Sequence, residues 1–130
     1  MTRKIIIDTN FLLLPFKSGL DIFSEFSRLC HFHYELFIFE ATISELNGII
    51  KKASGKDKRA AKFALSLIKL KEIAIIKSEH KDVDSIILEY PGKDFIVATL
   101  DINLKKELQK KNVPVIILRK KQYLILLGDL

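Results

Sequence analysis

Four acidic residues in this 130-residue chain stand where their types and spacing could do chemistry: Asp8, Glu45, Asp84 and Asp101. Asp8 directly follows the apolar run Lys4-Ile5-Ile6-Ile7, and Asp101 follows Phe95-Ile96-Val97-Ala98-Thr99-Leu100. Ligands of an open parallel sheet bind outside the carboxyl ends of its strands, so carboxylates placed there converge and repel. A hard divalent cation relieves that repulsion, because Mg²⁺ or Mn²⁺ takes oxygen ligands. The chemistry to expect is metal-assisted phosphoryl transfer.

Each acid has local support. Asp8-Thr9-Asn10 offers a carboxylate, a hydroxyl and an amide at one strand end, although Asp and Thr there could also cap the next helix. Glu45 is followed by the core position Leu46, so it borders a buried face, where a carboxylate wants a cation. Asp82 and Asp84 diverge by about 200° on a helix. Asp84 is therefore read as the ligand and Asp82 as a cap or surface charge. Thr99 precedes Asp101 at the strand end, and Asn103 follows it. Asp94 precedes the same strand and belongs to the opposite edge of the sheet.

Other chemistries find less support. Cys30-His31-Phe32-His33 fits no zinc template and is read as a helix end and loop. The five glycines form no phosphate loop, and Cys30 has no partners for a nucleophile. A receiver-like signalling domain would want an Asp after the third strand, and residues 77–81 hold none.

The elements that must position the acids alternate. Strands are expected at 3–7, 34–39, 73–76, 95–100 and 113–118, and helices at 19–31, 40–52, 57–71, 82–89 and 101–112. Pro15 breaks any long helix over 10–16, and Tyr90-Pro91-Gly92 is a stop signal. On the helix over 57–71 the inward stripe reads Ala60, Phe63, Ala64, Leu67 and Leu70. Short β-branched strands alternating with helices predict an α/β fold, a parallel sheet between helix layers. The apolar tail Tyr123–Leu127 could add an edge strand or seal an isologous dimer.

Composition bounds the rest. Residues 1–130 make a single domain with 48% hydrophobic and 29% charged residues. No apolar run reaches the roughly 18 residues of a membrane span. The absence of a signal-peptide pattern and the single cysteine predict a cytoplasmic protein. The net charge of +6 equals that of residues 51–72 alone, which hold Lys51, Lys52, Lys56, Lys58, Arg59, Lys62, Lys69 and Lys71. A basic segment beside clustered carboxylates fits a polyanion gripped by lysines near a metal, and equally a solvated helix face.

In order and spacing these segments resemble the PIN domain, a compact metal-dependent nuclease fold. Ile5-Ile6-Ile7-Asp8-Thr9-Asn10, Ile43-Ser44-Glu45-Leu46, Val83-Asp84-Ser85-Ile86 and Val97-Ala98-Thr99-Leu100-Asp101 are similar to its four motifs. Phe11 to Phe16 and Val113 to Arg119 resemble small archaeal proteins similar to rRNA-processing PIN nucleases. The resemblance implies a three-layer α/β/α fold with a mostly parallel five-stranded sheet. It implies a Mg²⁺- or Mn²⁺-dependent endoribonuclease, acting in rRNA processing or as a toxin. The metal would be held by Asp8, Glu45, Asp84 and Asp101, with Thr9, Asn10, Thr99 and Asn103 around them. Lys51, Lys52, Lys56, Lys58, Arg59 and Lys62 would grip RNA. An antitoxin or a ribosome-assembly factor would be the protein partner, alongside a homodimer. Leu100 stands where the family often has Asn, and Asn103 where it often has a further acid. Asn103 offers a carbonyl without charge, so a non-catalytic RNA-binding scaffold is the competing expectation.

Overall fold

The computed structural model describes residues 2–130. Its centre is strand β1 (Arg3–Ile7), whose Ile5, Ile6 and Ile7 are fully buried. A strand covered on both faces reads as an unbroken apolar run. Beside it lie β2 (Tyr34–Phe39) and β4 (Phe95–Ala98), both parallel to it. Outside these are β3 (Ala74–Ile76) and β5 (Val115–Arg119), also parallel, and β6 (Tyr123–Leu127), antiparallel to β5. The order is β3-β2-β1-β4-β5-β6. The chain builds outward from β1 on one side, then crosses to β4 on the other. The crevice of such a sheet opens at the carboxyl ends of the two strands flanking that switch.

Alternation along the strands splits the core. Ile5, Ile7, Ile96 and Ala98 face one layer with Phe11, Phe26, Leu46 and Ala64, while Ile6 and Val97 face the other with Val83, Ile87, Leu104 and Leu108. The first layer carries α1 (Thr9–Leu12), α2 (Leu14–Ser18), α3 (Ile22–Leu29), α4 (Glu40–Lys52) and α5 (Gly55–Leu70). The second carries α6 (Val83–Glu89) and α7 (Ile102–Lys110). Pro15 sits in the first turn of α2, where its missing N–H costs nothing.

Three expectations change. The sheet has six strands rather than five, because the tail finishes it as β6. Leu124 is fully buried, its N–H donates to Glu25 Oε1 at 2.8 Å, and its carbonyl accepts from Arg28 at 2.7 Å. On α5, Phe63 and Leu70 are exposed; the buried stripe is Ala60, Ala61, Ala64, Leu67 and Ile68. Alanines face α4 because two helices that approach closely leave no room for longer side chains. The helices expected at 82–89 and 101–112 begin one residue later, since Asp82 and Asp101 are their N-caps.

Candidate functional site

The four acids meet at the carboxyl ends of β1 and β4. Asp8 extends β1, its N–H donating to the Ala98 carbonyl at 2.9 Å. Asp8 is 4% exposed, and its side chain caps α1: Oδ1 accepts from the Thr9 N–H at 2.9 Å, and Oδ2 accepts from Thr99 Oγ1 at 2.8 Å. Thr99 Oγ1 in turn accepts from the Asp101 N–H at 3.0 Å, and Asp101 Oδ1 accepts from Leu104 N–H at 2.9 Å. One buried threonine thus fixes two acids from neighbouring elements. Capping and convergence coexist, because an N-cap side chain at the strand end points into the crevice.

Glu45 arrives from α4, where it borders the buried Leu46. Its Oε2 accepts from the Val83 N–H at 3.4 Å, at the start of α6. Asp84 lies in the first turn of that helix, while Asp82 is occupied as its cap, accepting from Ser85. Burial, then the charges of Asp8, Asp101 and Asp82, push the Asp84 carboxyl up to about 7. A hydrogen-bond contact with Asp101 acts in the same direction. Burial also raises Asp8, against the hydrogen bonds from Thr99 and Thr9, with Glu45 and Asp101 adding to the rise. Each acid is therefore within electrostatic reach of others in the set.

None of the four pairs with a lysine, arginine or histidine among the described residues. Nor are any three His, Cys, Asp or Glu side chains there drawn into a metal-ligand arrangement. The donor set nevertheless fits a hard divalent cation. It consists of carboxylate oxygens alone, it lacks a countercharge, and at least Asp8 and Asp84 resist ionisation without one.

The other expected residues divide. Thr9 is buried and reaches Thr42 Oγ1 at 3.4 Å, and Asn10 is exposed beside Glu45. Asn103 is exposed on α7 with Lys106, Gln109 and Lys110 around it, and it makes no hydrogen bond to the acids. Of the basic set, Lys51 and Lys52 end α4, whereas Lys56, Lys58, Arg59 and Lys62 lie on α5. Lys52 alone among them lines the groove that contains Glu45.

Sequence reasoning missed the strap over residues 77–82. The Ala41 N–H donates to Ser78 Oγ at 3.1 Å, the Ser78 N–H to Glu40 Oε1 at 3.3 Å, and Ser44 Oγ meets His80 Nδ1 at 3.0 Å. Together with the Glu45–Val83 contact, they tie the first half of α4 to this strap and to the start of α6. One signal was available: α4 starts after Phe39, which cannot cap it, so its donors need partners from elsewhere. Thr42, fully buried one turn before Glu45, was also missed.

A family model described as a PIN like domain matches residues 5–121. The chain belongs to the PIN domain family. Among curated relatives, the protein named Ribonuclease VapC4 from Methanocaldococcus jannaschii is 32% identical over 127 residues, covering 96% of this chain and 97% of that one. Ribonuclease VapC9 from Archaeoglobus fulgidus is 28% identical over 114 residues, covering 87% and 81%. Among solved structures, the PIN domain endonuclease Utp24 matches with a TM-score of 0.78 and 21% identity, over 98% of this chain and 94% of that one. That last likeness bears on the fold, a PIN fold with a mostly parallel sheet. No helix of the described residues is long and apolar enough to cross a membrane.

Proposed function

We propose that this PIN domain is a Mg²⁺- or Mn²⁺-dependent endoribonuclease. The observation that carries the reading is the meeting of Asp8, Asp84 and Asp101 without a basic partner; burial, and then the charges of Asp8, Asp101 and Asp82, push the Asp84 carboxyl up to about 7. The relatives named as ribonucleases support RNA as the substrate.

Asp8, Asp84 and Asp101 would hold the cation, and Glu45 would complete the cluster from α4. When bound, the cation supplies a Lewis acid that offsets charge on the scissile phosphate and lowers the pKa of a water. Glu45 would orient the attacking water. Thr99 fixes the orientation of Asp8 and Asp101, a supporting role that outer hydrogen bonds play at metal sites. The exposed amide of Asn10 can donate to a phosphate oxygen. Lysines of the 51–62 segment would hold flanking phosphates without reading sequence.

Asp8→Asn tests this reading. The amide keeps its oxygen as acceptor for the Thr9 N–H, turns its NH2 toward Thr99 Oγ1, whose hydroxyl can accept, and removes the charge. Mn²⁺-dependent cleavage of single-stranded RNA is expected to disappear, with the melting temperature unchanged or raised. Cleavage at the wild-type rate would refute the mechanism. Two cellular roles suit such an activity, the toxin of a pair and rRNA maturation. Growth arrest on expression of the wild type, and not of Asp8→Asn, favours the toxin; accumulation of unprocessed rRNA on deletion favours maturation.

A further inference from the structure

A groove of about 620 Å³ starts at Glu45 and follows α4 to its C-terminal end. Glu45, Gly48, Ile49 and Lys52 form one stripe along it, at i, i+3, i+4 and i+7 of the same helix. Leu13 lines it together with Thr9 and Asn10, beside the acidic centre. Lys17 and Asp57, joined at 3.2 Å, line the part that reaches the start of α5.

Gly48 is the informative residue. Glycine in a helix interior is destabilising. Nothing within 4 Å of the place its Cβ would take demands its small size, and its φ is not positive. The fold has no need of a glycine at this position. What a side chain here would fill is the groove itself. The other features complement a nucleotide. Lys52 lies about 10.5 Å along the helix axis from Glu45, with no carboxylate within 4 Å among the described residues. Between these ends stand the apolar side chains of Leu13 and Ile49. The Lys17–Asp57 pair is solvent-exposed, and such pairs open at little cost, which frees Lys17 for an anion.

We propose that this groove holds the nucleotide next to the scissile phosphate, its base against Leu13 and Ile49 over Gly48 and its outer phosphate at Lys52. The assignment rests on the ribonuclease reading above. An RNA occupant is favoured over a peptide because the groove shares Thr9, Asn10 and Glu45 with the acidic centre, so that its occupant runs on from the reacting phosphodiester.

The test measures binding by fluorescence anisotropy, without divalent metal, of labelled oligouridylates of two to six nucleotides. Wild type, Gly48→Leu and Lys52→Ala are compared. Wild-type affinity is expected to rise at the length where the strand enters the groove. Gly48→Leu is expected to lose that rise, about tenfold in Kd, while melting no lower than wild type. Lys52→Ala is expected to reduce the salt slope by about 0.7, the value for one phosphate contact on a single strand. If both variants match wild type at every length while wild type still cleaves RNA with Mn²⁺, the groove assignment falls and the ribonuclease reading stands. That result would leave a protein segment as the groove's occupant. If wild type neither binds nor cleaves, the ribonuclease reading falls and takes the groove with it.

Discussion

Replacing Asp84 by Asn in the metal-free protein should stabilise the fold, and only above acidic pH. Asp84 ionises at about 7 in the folded chain instead of at the ordinary 3.8, because burial and the charges of Asp8, Asp101 and Asp82 oppose its charged form. The folded state therefore keeps a proton that the unfolded chain has released. Stability falls as pH rises from 3.8, and the full penalty is present above 7. At 1.36 kcal/mol per pH unit the displacement corresponds to a ceiling of about 4 kcal/mol. Asp84 is partly exposed, so water screens the interaction and about 1–2 kcal/mol remains. For a chain of this size that is a rise of roughly 3–8 °C in Tm. Thermal melts in EDTA at pH 4, 6 and 8 should show a gap near zero at pH 4 that widens to its full value at pH 8. Adding Mn²⁺ should reverse the order, raising the wild type by about 2.7 kcal/mol at one hundred times its Kd and leaving the variant behind. A gap independent of pH, or a variant that melts lower at pH 8, would refute the account of crowded carboxylates.

Further outcomes follow from particular contacts. Thr99→Val removes the hydroxyl that serves Asp8 Oδ2 and the Asp101 N–H, and should cost about 1–3 kcal/mol in urea unfolding; a loss below about 0.5 kcal/mol would show that water replaces it. Ser78→Ala leaves the Ala41 N–H without its cap and should cost about 1 kcal/mol. Amide exchange should accelerate over the first turn of α4 and stay unchanged in β4. Substituting Lys58, Arg59 and Lys62 together by Ala should weaken RNA binding and flatten its salt slope by about 2. An unchanged slope would remove α5 from the RNA-binding surface.

The acids were legible in the sequence because each stands next to a strong local signal. Asp8 and Asp101 follow β-branched runs, and Asp84 follows the capping Asp82. Glu45 precedes a core leucine. The central strands were legible for the same reason, since burial on both faces leaves unbroken apolar runs such as Ile5-Ile6-Ile7. What escaped depends on contacts between distant segments. Phe63 and Leu70 looked inward because they are apolar at helical spacing; the approach of α4 selects Ala60, Ala61 and Ala64 instead. The strap that anchors the first half of α4 uses Ser78 and His80, whose surroundings read as a polar loop. Lys52 was one of six candidate basic residues, and nothing in its own neighbourhood separated it from the rest. Its place in the groove comes from Gly48 and Leu13, residues without charge. Asn103 was placed near the acids by its two-residue distance from Asp101, but α7 turns it outward.

The Glu25–Arg28 pair on α3 has an implication for how copies of this chain can associate. Glu25 and Arg28 are joined at 2.9 Å, and together they occupy the N–H and carbonyl of Leu124 on the last strand. An outer strand left bare is a template on which another chain can extend the ladder. Here one ion pair blunts that template at its second residue. Pairing through this border would require both side chains to swing away and leave Leu124 to the newcomer. Self-association by sheet continuation is thereby steered away from the C-terminal flank, leaving the three-residue β3 as the other border of the sheet.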